Sequence, residues 1–260
     1  MKEKIYQSMI ELTNGKWSSI LLKRFAHSSL SKTFIPSYMK HFKITTNDMT
    51  CHVNEYTSLH DFFIREIKAD RREIDLSPNS IVSPVDATIE IFGDISPSGI
   101  FHVKGKPYTL TNMLGSEDLA GKYIHGKYII LYLSPAEYHR IHAGIDGVIT
   151  NQYVLGKKSY PVNKWGLKYG KETISGNYRL LTELQMPNGK GCFQIKVGAM
   201  FVNSIELTCK NKQWNKGEEV GYFSFGSTVV MLFQEGSMKF TEDLSPGKFV
   251  RMGEKIADMV

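Results

Sequence analysis

Apolar positions up to about residue 72 recur at roughly helical spacing: Ile5, Met9, Ile10, Leu12, Trp17, Ile20, Leu21, Leu22 and Phe25, with Asn14-Gly15 as a break. A second helical stretch is predicted over Ser58 to Lys68, with Leu59, Phe62, Phe63 and Ile67 on one side. From Ile81 the texture changes. Ile81 to Phe92, Tyr128 to Leu133, Val148 to Leu155, Phe193 to Val202 and Val220 to Phe233 are β-branched and aromatic, punctuated by Gly, Pro and Asn, and read as strands. Many short strands after a helical leader predict an α+β fold with a largely antiparallel β core. No internal repeat, low-complexity run or convincing linker divides the chain. The expectation is one domain over residues 1–260, with a helical region at 1–72 and a β-rich core at 73–260.

Composition narrows this only a little. A chain of 260 residues with 42% hydrophobic and 22% charged residues is long and apolar enough to bury a core. The net charge of +6 suits an anionic partner, either nucleic acid or an acidic membrane surface. Arg71-Arg72 and Lys157-Lys158 are the longest basic runs, which argues against a nucleic-acid-binding arm. Cys51, Cys192 and Cys209 are odd in number and widely spaced, so they read as buried or half-buried free thiols. No stretch approaches the ~20 apolar residues of a membrane-crossing helix, and the N-terminus has no secretory-signal pattern. Lys2, Lys4, Lys16, Lys23 and Arg24 sit among the apolar residues and Trp17 of the leader. That pattern suits a helix lying in a bilayer interface, and equally an amphipathic helix packed on its own core.

Three segments carry candidate chemistry. In Ser83-Pro84-Val85-Asp86-Ala87, the Asp after a strand and a Pro turn could orient a histidine; a turn Asp capping local backbone is the simpler account of it alone. In Ser134-Pro135-Ala136-Glu137-Tyr138-His139-Arg140-Ile141-His142, two histidines three apart share a face if the segment is helical. They could be an acid and a base, two ligands of a zinc hydrolase, or ordinary hydrogen-bonded residues. In Tyr222-Phe223-Ser224-Phe225-Gly226-Ser227-Thr228-Val229-Val230, a Gly-Ser step inside an apolar strand marks either a bulge or a reactive peptide. Glycine leaves its carbonyl open to the Ser227 hydroxyl; an amide-to-ester shift, elimination and hydrolysis would leave a pyruvoyl group.

Taken together and in order, these segments make the chain resemble the phosphatidylserine decarboxylases, whose motifs read approximately Ser-Pro-Val-Asp-Gly, Tyr-His-Arg-x-His and Leu-Gly-Ser-Thr. The resemblance extends through Phe62-Phe63-Ile64-Arg65-Glu66-Ile67-Lys68, Val103 to Leu110, Tyr160-Pro161-Val162-Asn163, Asn177-Tyr178-Arg179 and Val197 to Ile205. Ala87 stands where the family usually has Gly, Phe225 where it has Leu, and Asn203 where Gly is common. The resemblance implies a proenzyme cut between Gly226 and Ser227 into chains 1–226 and 227–260 that stay associated. Ser227 would become a covalent pyruvoyl cofactor, with no separate coenzyme or metal. Asp86 and His142 would complete a self-cleavage triad with Ser227, and His139 would serve the decarboxylation step. The pyruvoyl group would form a Schiff base with phosphatidylserine, release CO2 and yield phosphatidylethanolamine. The implied partners are phosphatidylserine and a membrane surface, at the cytoplasmic face of the cell membrane; nucleic acid is not expected, and a homodimer is left open. The alternatives are a pyruvoyl decarboxylase of a free amino acid, the zinc hydrolase, and a non-catalytic lipid-binding module.

Overall fold

The computed structural model describes residues 16–158, 160–162, 173–199, 205–224 and 227–260, with only the backbone described at 16–20 and 227. The Asn14-Gly15 break, Asn163, the segment 200–204 and the residues Phe225 and Gly226 lie outside the described residues.

The helical leader contains α1 (Lys16–His27), α2 (Ile35–Phe42) and α3 (Leu59–Phe63), joined by short 3-10 turns. Ser58 caps α3 by accepting the Asp61 amide at 3.1 Å. This helix is shorter than the expected Ser58 to Lys68. Beyond it the chain is drawn into strand-like pairing with residues 48–50: Thr50 N bonds Glu66 O at 3.2 Å, and Lys68 N bonds Asp48 O at 2.8 Å. Ile67 therefore bridges Met49 and leaves the helical stripe. Ile35, Met49, Tyr56 and Phe62 make a small apolar cluster of their own.

Among the described residues the largest sheet holds β2 (Ala87–Asp94), β5 (Lys127–Leu133), β7 (Gly147–Leu155), β8 (Arg179–Gln185), β9 (Gly191–Gly198), β11 (Gln213–Trp214), β13 (Ser227–Phe233) and β15 (Phe249–Val250). Its order is β11-β7-β8-β9-β13-β5-β2-β15, with every pairing antiparallel. One face packs on two small sheets. The first joins β1 (Ser80–Val82), β16 (Lys255–Met259) and β14 (Met238–Phe240); the second joins β10 (Ile205–Leu207), β12 (Glu219–Phe223) and β6 (Arg140–His142). The other face is covered by the hairpin β3 (Ile100–Val103) and β4 (Lys106–Thr109), with α4 (Leu110–Leu114) and α5 (Glu117–Gly121). Gly115 ends α4 at φ 72°, in the left-handed region where a side chain is strained.

Because both faces are covered, the central strands read as continuous apolar runs. In β13, Val229, Met231 and Phe233 enter one core, and Val230 and Leu232 enter the other. The expected single strand Val220 to Phe233 is in fact two strands in different sheets, β12 and β13. The Gly-Ser step therefore falls at a change of sheet, with Ser227 as the first residue of β13. Of the cysteines, Cys192 is buried and Cys209 half-buried as expected, whereas Cys51 is exposed, because the 48–53 segment runs over the surface of the small helical cluster.

Lys196 in β9 is a cation inside the main core. Its Nζ donates to Thr182 Oγ1 at 2.8 Å and lies 4.5 Å from the Trp214 ring, with no carboxylate in contact among the described residues. Burial pushes its pKa down to about 7. An unfolded lysine keeps its proton to about pH 10.4. Between those values the unfolded chain binds more protons, so stability rises with pH across that window. In a Ser227→Ala background, Lys196→Met is expected to stabilise the chain more at pH 7 than at pH 9 in urea unfolding. The same increment at both pH values would contradict a desolvated ammonium.

Candidate active site

Asp86 sits in the turn between β1 and β2, whose shape is set by the Ser83 hydroxyl donating to Val85 O at 2.6 Å. Its buried carboxylate accepts Arg72 Nε at 2.8 and 3.0 Å, a further close contact from Arg72 Nη2, and the Met252 amide at 2.8 Å. Arg72 is shared, for its Nη1 also reaches Asp48 at 3.1 Å. A buried carboxylate needs such partners to remain charged.

The two histidines do not lie on a helix. Residues 140–142 form β6, because they pair with β12 through Arg140↔Tyr222, Ile141↔Gly221 and His142↔Glu219. His142 donates its amide to Pro84 O at 2.8 Å, which joins the Asp86 turn to this strand. Its Nδ1 lies 2.8 Å from Gly217 O and its Nε2 3.2 Å from Tyr138 Oη. A carbonyl only accepts, so Nδ1 carries the proton and Nε2 presents a lone pair to the tyrosine hydroxyl. Burial lowers the His142 pKa, which favours this neutral form.

His139 follows the same logic in a drier setting. Its Nδ1 donates to Glu137 O at 2.9 Å, and its ring packs on Phe63 with centroids 3.9 Å apart. Its Nε2 is buried with no partner. Burial brings its pKa down to about 3, with Arg65 acting in the same direction.

The leader clamps the loop that carries these residues. Tyr38 Oη donates to Pro135 O at 3.2 Å, and Arg65 Nη2 donates to Ala136 O at 2.5 Å and Glu137 O at 3.0 Å. Arg140 Nε donates to Ile64 O at 3.0 Å, while its head pairs with Glu219 at 2.9 Å and Glu66 at 3.1 Å. Position 227 is drawn to the same place by register. Ser227 pairs with Leu133, the residue before Ser134, and with Gly198 on its other side. At the end of β12, Phe223 N bonds His139 O at 3.0 Å.

The structure thus gathers the backbone around Asp86, His139, His142 and Ser227, while the Asp86 and His142 side chains each hold other partners. Both nitrogens of His142 are engaged by protein groups, and no cluster of three metal-ligating side chains occurs among the described residues. This arrangement gives a zinc hydrolase at His139 and His142 no support.

The family model for phosphatidylserine decarboxylase matches residues 59–258. The chain belongs to the phosphatidylserine decarboxylase family. It is 48% identical over 260 residues to the phosphatidylserine decarboxylase proenzyme of Bacillus mycoides (strain KBAB4), covering 100% of this chain and 99% of that protein. Proteins of the same description from Bacillus thuringiensis subsp. konkukian (strain 97-27) and Bacillus cereus (strain B4264) are each 48% identical over 257 residues, covering 99% of this chain and 98% of theirs.

Several residues of this family member's site were not singled out from its sequence. Arg72 stood there only as half of a basic pair, yet it holds Asp86. Arg65 lay within the stretch Phe62 to Lys68 that carries the resemblance, without a role of its own. Tyr138 stood in the Tyr-His-Arg-x-His motif without a role of its own, and Gly217 O and the Met252 amide carried no sequence signal, since a backbone partner is fixed only by the fold. Arg72→Met would leave a buried carboxylate without its cation. It is expected to lose about 3–5 kcal/mol in urea unfolding. Chain cleavage, followed on gels, should slow with it; parental stability would show that Asp86 does not depend on Arg72.

Proposed function

We propose that the chain is a phosphatidylserine decarboxylase proenzyme that cuts itself between Gly226 and Ser227 and then converts phosphatidylserine to phosphatidylethanolamine and CO2. The observation that carries this reading is the neutral His142, oriented by Gly217 O beside the Asp86 turn, in a chain whose family match spans both motifs and Ser227.

In the cleavage step, His142 Nε2 is the base that takes the Ser227 hydroxyl proton once Tyr138 Oη gives way. The serine oxygen attacks the Gly226 carbonyl and the peptide nitrogen leaves, giving an ester. Loss of the α-proton of residue 227 expels the Gly226 carboxylate, and hydrolysis of the resulting dehydroalanine releases ammonia. Asp86 acts through the Pro84–His142 backbone bond and through its negative charge, which favours the protonated imidazole.

The residues around position 227 fit a pyruvoyl group. The strand is paired on both sides, and the next hydroxyl, Thr228 Oγ1, is buried without a partner and can donate to a carbonyl oxygen. The pyruvoyl group supplies an electrophilic carbonyl for the substrate amine and a sink for the electrons left when CO2 departs. His139 Nε2 takes the proton that the substrate ammonium sheds on becoming the attacking amine and passes it to the substrate α-carbon once CO2 has left; its low basicity means that it holds this proton only during turnover. Phe63 keeps water from the ring.

Among the described residues no helix is long and apolar enough to cross a membrane. Exposed Leu21 and Phe25 on α1 and Leu30 and Phe34 on the 3-10 turn after it stand beside Lys23, Arg24 and Lys32. This face favours peripheral docking on an anionic bilayer, with the cell membrane as the site of action, and a lipid over a soluble amino acid as substrate.

Ser227→Ala is expected to give one intact, inactive chain, and His142→Ala and Asp86→Ala to block or greatly slow cleavage on gels. His139→Ala should mature yet lose ~10²–10⁴-fold in CO2 release. A cleaved, active His142→Ala protein would refute the assignment of the base. Separately, Leu30→Glu with Phe34→Glu should weaken sedimentation with anionic vesicles, as should added salt; unchanged sedimentation would place the docking face elsewhere.

A further inference from the structure

Beside Asp86 lies a cavity of about 200 Å³ whose wall includes Lys43, Asp48, Arg65, Arg72, Asp86 and Glu137. Its charges are unequally satisfied. Arg72 is taken up by Asp86 and Asp48. Arg65 is only 6% exposed, yet it forms no ion pair among the described residues; its Nη2 bonds two carbonyls, and its Nη1 is buried without a partner. Lys43 is exposed at the C-terminal cap of α2, in the left-handed region at φ 55°, and its side chain likewise has no hydrogen bond or ion pair among the described residues. Glu137 carries a buried, unpartnered Oε2, and burial raises its pKa toward the neutral form, which weakens its repulsion of an anion.

A buried guanidinium without a counter-ion is costly, and one that lines a cavity beside a second unpaired cation is suited to a bound anion. Asp86 and the Ala136–Tyr138 backbone share the wall, so an anion there sits within the same loop system as His139 and His142. We infer that this cavity seats the phosphodiester of the substrate headgroup, with Arg65 and Lys43 as the residues that select a phosphorylated serine over free serine. This rests on the phosphatidylserine reading above. Arg65 would bind through Nη1, whose two N–H donors are unspent, and Lys43 as a point charge from the rim. The carbonyls of Ala136 and Glu137 already fix the Arg65 guanidinium through Nη2, so the side chain meets the headgroup without further ordering.

The test uses the processed enzyme with phosphatidylserine at fixed mole fraction in neutral-detergent micelles. Lys43→Glu and Arg65→Gln are expected to raise KM by roughly 10–100-fold, as for one charge-assisted contact, with kcat changed far less. Lys40→Glu, an exposed change of the same charge on α2 and off the cavity wall, should leave both unchanged. Inorganic phosphate should compete with the lipid in the parent and lose that effect in Lys43→Glu. Should Arg65→Gln fail to fold or mature, Lys43→Glu decides, because the Lys43 side chain makes no hydrogen bond or ion pair among the described residues and the cap is closed by its backbone. A cleaved Lys43→Glu enzyme with parental KM would overturn the subsite while leaving the decarboxylase reading intact. Loss of phosphate competition with that same parental KM would mean a site for free phosphate, and would overturn it too. Equal rises of KM in Lys40→Glu and Lys43→Glu would reduce the effect to general surface charge and refute the seat. A parent that releases no CO2 from phosphatidylserine would overturn the functional reading and the subsite together.

Discussion

A carboxylate removed from water must be matched, and in this protein the matching of Asp86 ties three distant stretches of chain together. Its partners are Arg72 at the end of the helical leader and the Met252 amide in the turn before β16. The adjoining Pro84 carbonyl holds the His142 amide. Removing Arg72 would leave the Asp86 carboxylate without a cation where isolated charges are costly, whereas Arg72 without Asp86 would still hold Asp48. The leader is thus more than an appendage. It supplies the cation, and through Tyr38, Arg65 and the Ile64 carbonyl it also holds the loop that presents both histidines.

The same architecture would keep two chains together after the proposed cut at 226–227. β13 is a central strand, paired along all seven residues with β5 on one side and β9 on the other. Its side chains feed both cores, and β14 and β16 close the small sheet against β1. Covalent continuity at its first residue contributes little to that network. A cut where the chain passes from one sheet to another would leave both β13 ladders whole, whereas one within β13 would break them.

Most of the fold was legible because its signals are local. The continuous apolar run of residues 128–133 and the texture of residues 148–155 became β5 and β7 within a residue of their expected limits. The failures share one cause, which is pairing with remote partners. The Ser58 to Lys68 helix stops at Phe63 because residues 66–68 bond to residues 48–50. Residues 139–142 are extended because β12 lies beside residues 140–142, and Val220 to Phe233 divides because its halves find different sheets. At the site, the residues that bear titratable or reactive side chains could be named from motif order. Their partners could not, since Gly217 O, Glu137 O and the Met252 amide are backbone groups that any residue could have offered.

Those backbone partners decide what the histidines can do. Each imidazole donates Nδ1–H to a carbonyl that cannot donate back, so each is held with Nε2 as the basic atom, and burial keeps both neutral. The two then differ in what faces Nε2. At His142 it is a tyrosine hydroxyl, a neutral partner that another hydroxyl could replace at little cost. At His139 it is nothing within hydrogen-bonding reach, against an aromatic wall, so a proton placed there is unstable and is readily passed on. The proposed roles, a base that waits beside a hydroxyl and a carrier that releases its proton, would call for these two different environments, and a spacing of three residues from turn into strand sets both within one loop.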